Sequence, residues 1–345
     1  MKRKIKIFSI FLILSLMQHP IAYSNAAVNV DAKEEQIKHS KTTELTDTQK
    51  NQVSDDLSNI ELVRSRAEVS KEYREMDKKT ADILKSYCGD EYYLLTLSYT
   101  KEDRIKAMHK IVDIYNNVGT SEQKTLLSYI SSYAPYAGDS SLVSACKELQ
   151  PKEQMFKTSA SSYSRSDAAQ WAIDNYNNYN SNYPDCRLLG GDCANFVSQC
   201  MHVGGGMSMQ DTWYCYRKNT TYLKPTTTAQ LNYTWNLADP SPWISAKEFK
   251  NFWSSSSRST TYTYTKSEYT GSSSPAYAAP IYKGHAMSFC NKVLWWYEAA
   301  HTVIIVDYDY SNSDYIYAAH SNAKKDGKVK TGISNYDAVV FYCFN

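Results

Sequence analysis

Gly190 to Cys200 reads G-G-D-C-A-N-F-V-S-Q-C, and this stretch decides the fold of the second half of the chain. Asp192 belongs to the residue types that precede helices as N-caps. Apolar side chains then recur at helical spacing across residues 196–203, until three glycines follow at 204–206. The stretch therefore predicts a helix that begins at Cys193.

A thiol at the first position of a helix loses its proton more readily than an ordinary cysteine thiol does. Unpaired N–H groups and the helix dipole stabilise a thiolate there, which lowers a cysteine pKa from its ordinary value of about 8.5. Cys200 lies two turns further along and receives no such help. We therefore expect Cys193 to be a nucleophile.

Two alternatives compete with that role for Cys193. A disulfide to Cys200 is excluded by about 10 Å of helix rise, whereas a bridge to Cys186 stays open. A metal site is the other alternative, but the intervals among Cys186, Cys193, Cys200 and His202 do not match zinc ligand pairs. We expect neither a metal nor an organic cofactor.

A nucleophilic cysteine needs a base, and the chain has seven histidines. His19 and His39 lie near the N-terminus and His109 lies in a helical pattern. His202 is about 13 Å along the helix from Cys193. Three candidates remain: His285, His301 and His320.

His301 opens a β-branched run to Tyr308 that is typical of a strand buried on both faces. A turn rich in Asp, Asn and Ser separates it from a second strand, Tyr315 to His320, and the two predict a hairpin. Antiparallel pairing would bring His320 and Asn322 close to His301. We therefore expect His301 to be the general base, oriented by His320 or Asn322.

The order of these parts resembles a known family. The matching pieces are Ser164–Ala172, the block Asp192–Gln199, Trp213–Tyr214, Gly284–Phe289, His301–Ile305 and His320–Asn322. Together they resemble the bacterial putative amidase domain family, with a papain-like fold of the cell-wall hydrolase type. The resemblance covers about the last 185 residues.

The resemblance implies an α+β fold in which the helix bearing Cys193 packs on an antiparallel sheet. It implies hydrolysis of an amide bond, with peptidoglycan or another extracellular peptide as substrate. Related cell-wall peptidases suggest Tyr183 as an oxyanion donor beside the Cys193 backbone N–H. Asp192, Trp213 and His285 complete the residues expected near the substrate. His285 stands where the family usually carries Asp.

Two other functions remain open at this point. A catalytically inactive module of the same fold would bind the wall or another surface. An acyltransferase would use the same thiol but exclude water from the acyl-enzyme.

The N-terminus sets the expected location. A basic segment, Lys2–Lys6, an apolar core, Ile7–Met17, and the small residues Ser24–Ala26 are typical of a secretory signal peptide. No later stretch reaches the ~18 to 20 apolar residues of a membrane span. We expect a secreted or cell-wall-associated protein.

Charge gives no indication of nucleic-acid binding. The chain has 38 basic and 36 acidic residues. Four of the 38 basic residues lie in residues 1–26, which leaves 34 against 36, a net charge of −2. A near-neutral chain lacks the basic surface that nucleic acid requires.

Composition divides the chain into four parts. We expect a signal peptide at 1–26, a disordered lead-in at 27–56, a helical domain at 57–157 and a papain-like amidase domain at 158–345. Breaks at Cys88–Asp90 and Ala134–Tyr136 predict three or four helices in the helical domain. The Ser- and Thr-rich stretch Ser254–Pro280 predicts a flexible loop or an exposed hairpin.

Overall fold

The computed structural model describes residues 71–149, 163–272, 274–320 and 323–344. These residues all lie within one compact unit, Glu68–Asn345. The expected signal peptide, lead-in and domain boundary near residue 157 lie outside the described residues.

Helices form the first part of this unit. The first described helix, α1, covers residues 71–88. It is followed by α2 (Asp90–Leu97), α3 (Lys101–Ile114), α4 (Thr120–Ala137) and α5 (Ser140–Leu149). Gly89, with φ at 96°, separates α1 from α2, which confirms the predicted break there.

The second predicted break, at Pro135, is wrong. Helix α4 continues through Pro135 to Ala137 and ends at Gly138, whose backbone is left-handed. Pro135 lies in the last turn, where its missing N–H removes only one helical hydrogen bond. Tyr133 and Ala134 are buried beside it, so packing holds the turn in place.

A six-stranded antiparallel sheet forms the second part. Its strands are β3 (Ser259–Thr265), β4 (Ala286–Val293), β5 (Trp296–Asp309), β6 (Asp314–Ala319), β7 (Lys324–Lys328) and β8 (Ala338–Phe344). They lie in the order β3-β8-β4-β5-β6-β7. Strands β1 (Cys215–Arg217) and β2 (Trp235–Leu237) pair separately. The predicted hairpin is thus present as β5 and β6.

The remaining helices accompany the sheet. They are α6 (Arg165–Asn175), α7 (Cys193–Gln199), α8 (Thr228–Thr234), α9 (Ala246–Ser255), α10 (Lys266–Thr270) and α11 (Val329–Gly332). Short 3₁₀ turns lie at Tyr115–Asn117, Cys186–Leu189, Pro275–Ala278 and Ile333–Asn335. No described helix has the length and apolar character that crossing a membrane requires.

The two faces of the sheet have different neighbours. The inner face, on which α7 packs, carries Ala286, Ile304, Ala318, Val340 and Tyr342, and these share one core with the α7 side chains. Their chain neighbours point to the outer face, because successive side chains of a strand alternate. The α+β expectation, with the Cys193 helix on an antiparallel sheet, is therefore confirmed.

Helix α7 continues as a π-helical turn, Cys200–Gly204. This turn packs closely on α6, and a Cβ on Gly204 would come within 2.5 Å of the Trp171 Cβ. The same atom on Gly205 would come within 2.2 Å of the Tyr163 ring. The glycines that end the predicted helix also permit this close approach.

The Ser- and Thr-rich stretch is neither a flexible loop nor an exposed hairpin. It contributes strand β3, which pairs with β8 along its whole length, from Ser259 to Thr265. The low-complexity composition did not predict this strand, because alternating Thr and Tyr residues also occur in exposed segments.

Candidate active site

Cys193 is the first residue of α7, as the sequence predicts, and 6% of its surface is exposed. Asp192 holds the N-cap position, but its side chain makes no capping hydrogen bond to the helix backbone. The expected N-cap position of Asp192 is therefore confirmed. The carboxylate instead turns towards other partners.

The Asp192 carboxylate is 1% exposed and accepts hydrogen bonds from three directions. Oδ1 accepts from the backbone N–H of Cys186 and from Nδ2 of Asn195, both at 2.8 Å. Oδ2 lies 2.6 Å from Nδ1 of His320. The residue before the thiol thus joins the helix start, the preceding loop and the end of β6.

His320 is 2% exposed and has partners on both ring nitrogens. Besides Asp192 at Nδ1, the carbonyl oxygens of Asn175 and Asn178 lie 3.1 Å from Nε2. The ring is sandwiched between Tyr179 and Phe196, with centroid distances of 4.3 and 4.1 Å. Oxygen atoms therefore face both ring nitrogens.

His320 lies beside the first turn of α7. Phe196, on which the imidazole stacks, is three residues after Cys193, and side chains at that spacing are about 5–6 Å apart at Cβ. Ala318 of the same strand points to the inner face, which is also the Cys193 face. The structure thus brings an acid–imidazole pair and the thiol to one end of one helix.

The other polar residues of the Asp192–Gln199 block hold this arrangement together. Asn195 donates through Nδ2 to the Pro184 carbonyl at 2.6 Å as well as to Asp192, and accepts from Trp243 Nε1 at 3.0 Å. Ser198 Oγ donates to the Trp243 carbonyl and accepts from Trp213 Nε1. Asn195 and Ser198 are therefore paired, as burial requires, whereas Oε1 of buried Gln199 has no partner among the described residues.

The structure does not bring His301 to Cys193. His301 pairs with Phe289 across β4 and β5 and stacks on its ring at 6.3 Å. Phe289 also contacts Tyr317, a neighbour of inner-facing Ala318, so both rings lie on the outer face. Burial, and secondarily the charge of Lys324, lowers the pKa of His301 to about 4.

His301 faces outward because it lies three residues before Ile304, which faces inward, and the pairing of β4 and β5 is regular between them. The register of β4 and β5 shifts between the Phe289–His301 and Cys290–Ala299 pairs, leaving Ala300 as the extra residue. This bulge comes before His301 and leaves the alternation from His301 to Ile304 unchanged. Because the run from His301 is buried on both faces, its composition gives no indication of orientation.

His285 lies at the far end of α6 from His320. It neighbours Arg165, whose Nη1 is 3.4 Å from Nε2, whereas His320 contacts Asn175. Ten residues of helix separate Arg165 from Asn175, about 15 Å. The structure therefore places His285 at the other end of α6 from His320, and its expected role near the substrate stays a prediction.

The remaining candidates have distinct positions. Trp213 is fully buried among the rings of Trp243 and Trp253, so it belongs to the core and not to a substrate surface. Tyr183 is half-buried and stacks on Trp243 at 5.5 Å. Asn322 lies outside the described residues.

All eight cysteines are free thiols, so no bridge joins Cys186 to Cys193. Burial first, and then the charge of Asp192, raises the pKa of Cys186 well above its ordinary value. Cys186 is thus an unreactive neighbour at neutral pH. Among the described residues no group of three His, Cys, Asp or Glu side chains is placed to hold a metal ion.

The protein is an α+β protein in which a thiol lies at the start of a helix that packs on an antiparallel sheet, next to a buried carboxylate–imidazole pair. Residues 162–343 match the protein-family model described as "Putative amidase domain", which is more than half of the chain. The chain therefore belongs to the putative amidase domain family. No curated protein and no solved structure matches it.

Sequence reasoning missed the main contact of the site. Asp192 was expected as the N-cap of α7 and His320 as a residue that orients His301, whereas the Asp192 carboxylate and the His320 ring contact each other. One signal was present in the sequence, since both residues belong to separate pieces of the family resemblance, Asp192–Gln199 and His320–Asn322. Two polar residues in motifs far apart in the chain are candidates for direct contact.

Proposed function

We propose that this protein is a cysteine-dependent amide hydrolase in which Cys193 is the nucleophile and His320, oriented by Asp192, is the general base and acid. The family supports amide hydrolysis as the reaction. The observation that carries the residue assignment is the 2.6 Å contact between Asp192 Oδ2 and His320 Nδ1, one residue from the thiol.

The proposed reaction proceeds through a thioester. The Cys193 proton passes to His320 Nε2 as the sulfur bonds to the amide carbonyl carbon. Collapse of the tetrahedral intermediate breaks the C–N bond, and His320 returns the proton to the leaving amine. Water, deprotonated by His320, then attacks the thioester, which releases the carboxylic acid and restores the thiol.

This role requires His320 to exchange one set of contacts. Its Nε2 faces the carbonyls of Asn175, the last residue of α6, and of Asn178, three residues beyond it. Catalytic hydrogen bonds commonly form only when substrate is bound. In our proposal, substrate binding shifts this segment and frees Nε2 for the sulfur, while Asp192 keeps hold of Nδ1.

The oxyanion would be bound by the Cys193 backbone N–H and by the Tyr183 hydroxyl. Burial raises the pKa of Tyr183 to about 12, with smaller contributions from Cys215 and Tyr216. The hydroxyl therefore keeps its proton at neutral pH and can donate it in a hydrogen bond.

The substrate we propose is an amide bond of peptidoglycan outside the cell. The support is the signal-like N-terminal segment and the resemblance to wall hydrolases. A papain-like fold is part of the same proposal.

Digestion of purified peptidoglycan tests the function. We expect new amino groups and carboxylates from the native protein and none from Cys193→Ala, with Cys146→Ala, a buried cysteine of the helical segment, as the matched control. Added amines distinguish a transferase, which would yield amide adducts in place of acids. Equal digestion by Cys193→Ala would contradict the proposal.

A further inference from the structure

A cavity lies at the end of α6 opposite to His320. It has a volume of about 380 Å³, within the range of small-molecule sites. Its walls are largely aromatic, from Tyr163, Tyr282 and Phe344, and its polar lining includes Arg165 and His285. The proposed active site makes no use of these residues.

Among the described residues that line this cavity, Arg165 is the only one with a permanent charge. Arg165 is exposed, lies over the Tyr282 ring at 4.9 Å, and forms no ion pair with any described carboxylate. No Asp or Glu is among the lining residues. A guanidinium with free donors suits a carboxylate, which it can bind through two parallel hydrogen bonds.

His285 leaves the charge of the cavity positive and adds to its donors. Its Nδ1 accepts a hydrogen bond from the Tyr282 backbone N–H at 3.1 Å, so the neutral ring carries its proton on Nε2. That nitrogen lies 3.4 Å from Arg165 Nη1, which is also a donor. Burial first, and then Arg165, lowers the pKa of His285 to about 4.

Two donors that face each other need an acceptor between or beside them. The Phe344 backbone can accept from the ring, but the guanidinium gains no partner from that contact. We propose that this cavity binds the carboxylate of a small organic acid, with Arg165 as the anion-binding residue and the aromatic walls around the apolar part. The site is separate from Cys193 and does not depend on the proposed reaction.

Ligand-observed and protein-observed NMR with phenylacetate test the proposal, because this probe has a carboxylate and an aromatic body but no amide bond. Its neutral counterpart is 2-phenylethanol. We expect phenylacetate to shift the His285 ring resonances with a saturable dissociation constant in about the millimolar range. The alcohol should bind at least about tenfold more weakly.

Arg165→Gln should weaken phenylacetate binding by about tenfold or more, because the charged partner is lost. Arg165 is exposed, so this variant should keep the native fold. The matched control is Arg217→Gln, an exposed arginine that donates to the Ser181 carbonyl. Equal binding of acid and alcohol, full binding by Arg165→Gln, or no saturable shift of His285 would each overturn the proposal.

Discussion

The Asp192 carboxylate and the His320 imidazole meet at 2.6 Å, between Oδ2 and Nδ1, although 128 positions separate them in the chain. Both side chains are almost fully buried. A buried pair of this kind costs desolvation energy, so its stabilising effect alone is a weak reason for its presence. Its position next to the thiol instead supports a role in catalysis.

Asp192→Asn should lower amide hydrolysis strongly and destabilise the fold moderately. The amide can still accept from the Cys186 N–H but cannot hold an imidazolium. We expect an activity loss of at least about tenfold and a loss of about 1–3 kcal/mol in unfolding free energy. Peptidoglycan digestion measures the activity, and denaturant unfolding measures the unfolding free energy. Asp167→Asn, at an exposed position, is the control for both measurements. An unchanged activity would remove Asp192 from the mechanism.

Tyr183→Phe tests the oxyanion donor. The substitution removes only the hydroxyl and keeps the ring that stacks on Trp243. Loss of one oxyanion donor lowers kcat by about 10²–10³ in well-studied hydrolases. We expect a fall in kcat with little change in KM or in melting temperature. A change in KM alone would assign Tyr183 to substrate binding.

Ser198→Ala should lower the unfolding free energy, because Ser198 on α7 forms hydrogen bonds with two buried tryptophans. Its hydroxyl accepts from Trp213 Nε1 and donates to the Trp243 carbonyl, and all three residues are buried. The substitution leaves an indole N–H without a partner, which costs about 1–3 kcal/mol. Urea unfolding should show a lower midpoint with an unchanged slope. Ser334→Ala, which changes an exposed hydroxyl, should leave the midpoint in place.

Stability should fall below pH 6.5 because of two histidines. Burial first lowers the pKa of both His285 and His301 to about 4, whereas the unfolded chain titrates near 6.5. The unfolded state therefore binds more protons between these values, so unfolding free energy decreases as pH falls from about 6.5 to 4.

Unfolding measured at pH 7 and at pH 5 checks this expectation. His285→Gln should show a smaller decrease than the native protein, because it removes one of the groups that take up a proton. Ser334→Ala, which changes no titrating group at an exposed site, is the control. An equal pH dependence in His285→Gln and the native protein would contradict the assigned pKa.

Local sequence rules succeeded where one segment determines its own structure. The start of α7 at Cys193 follows from Asp192 and the spacing of the apolar residues, and the β5–β6 hairpin follows from the polar turn between two β-branched runs. The α+β class followed from the family resemblance. The helix start and the hairpin depend on neighbours in the chain.

The rest depends on contacts between distant segments. Alternation along β5 places His301 on the outer face, and a run buried on both faces does not reveal which of its side chains face the helix. The position of the Asp192 carboxylate depends on contacts with His320, which follows β6, and with the Cys186 backbone. Strand β3 exists because β8 offers it an edge to pair with.

The pH dependence of Cys193 alkylation by iodoacetamide, followed by peptide mass spectrometry, tests the central claim most directly. We predict labelling well below pH 8.5 in the native protein and in His301→Gln. In His320→Gln and Asp192→Asn the midpoint should move towards about 8.5, the ordinary cysteine pKa, with folding verified by circular dichroism. A shift in His301→Gln with none in His320→Gln would contradict the assignment of His320 as the base.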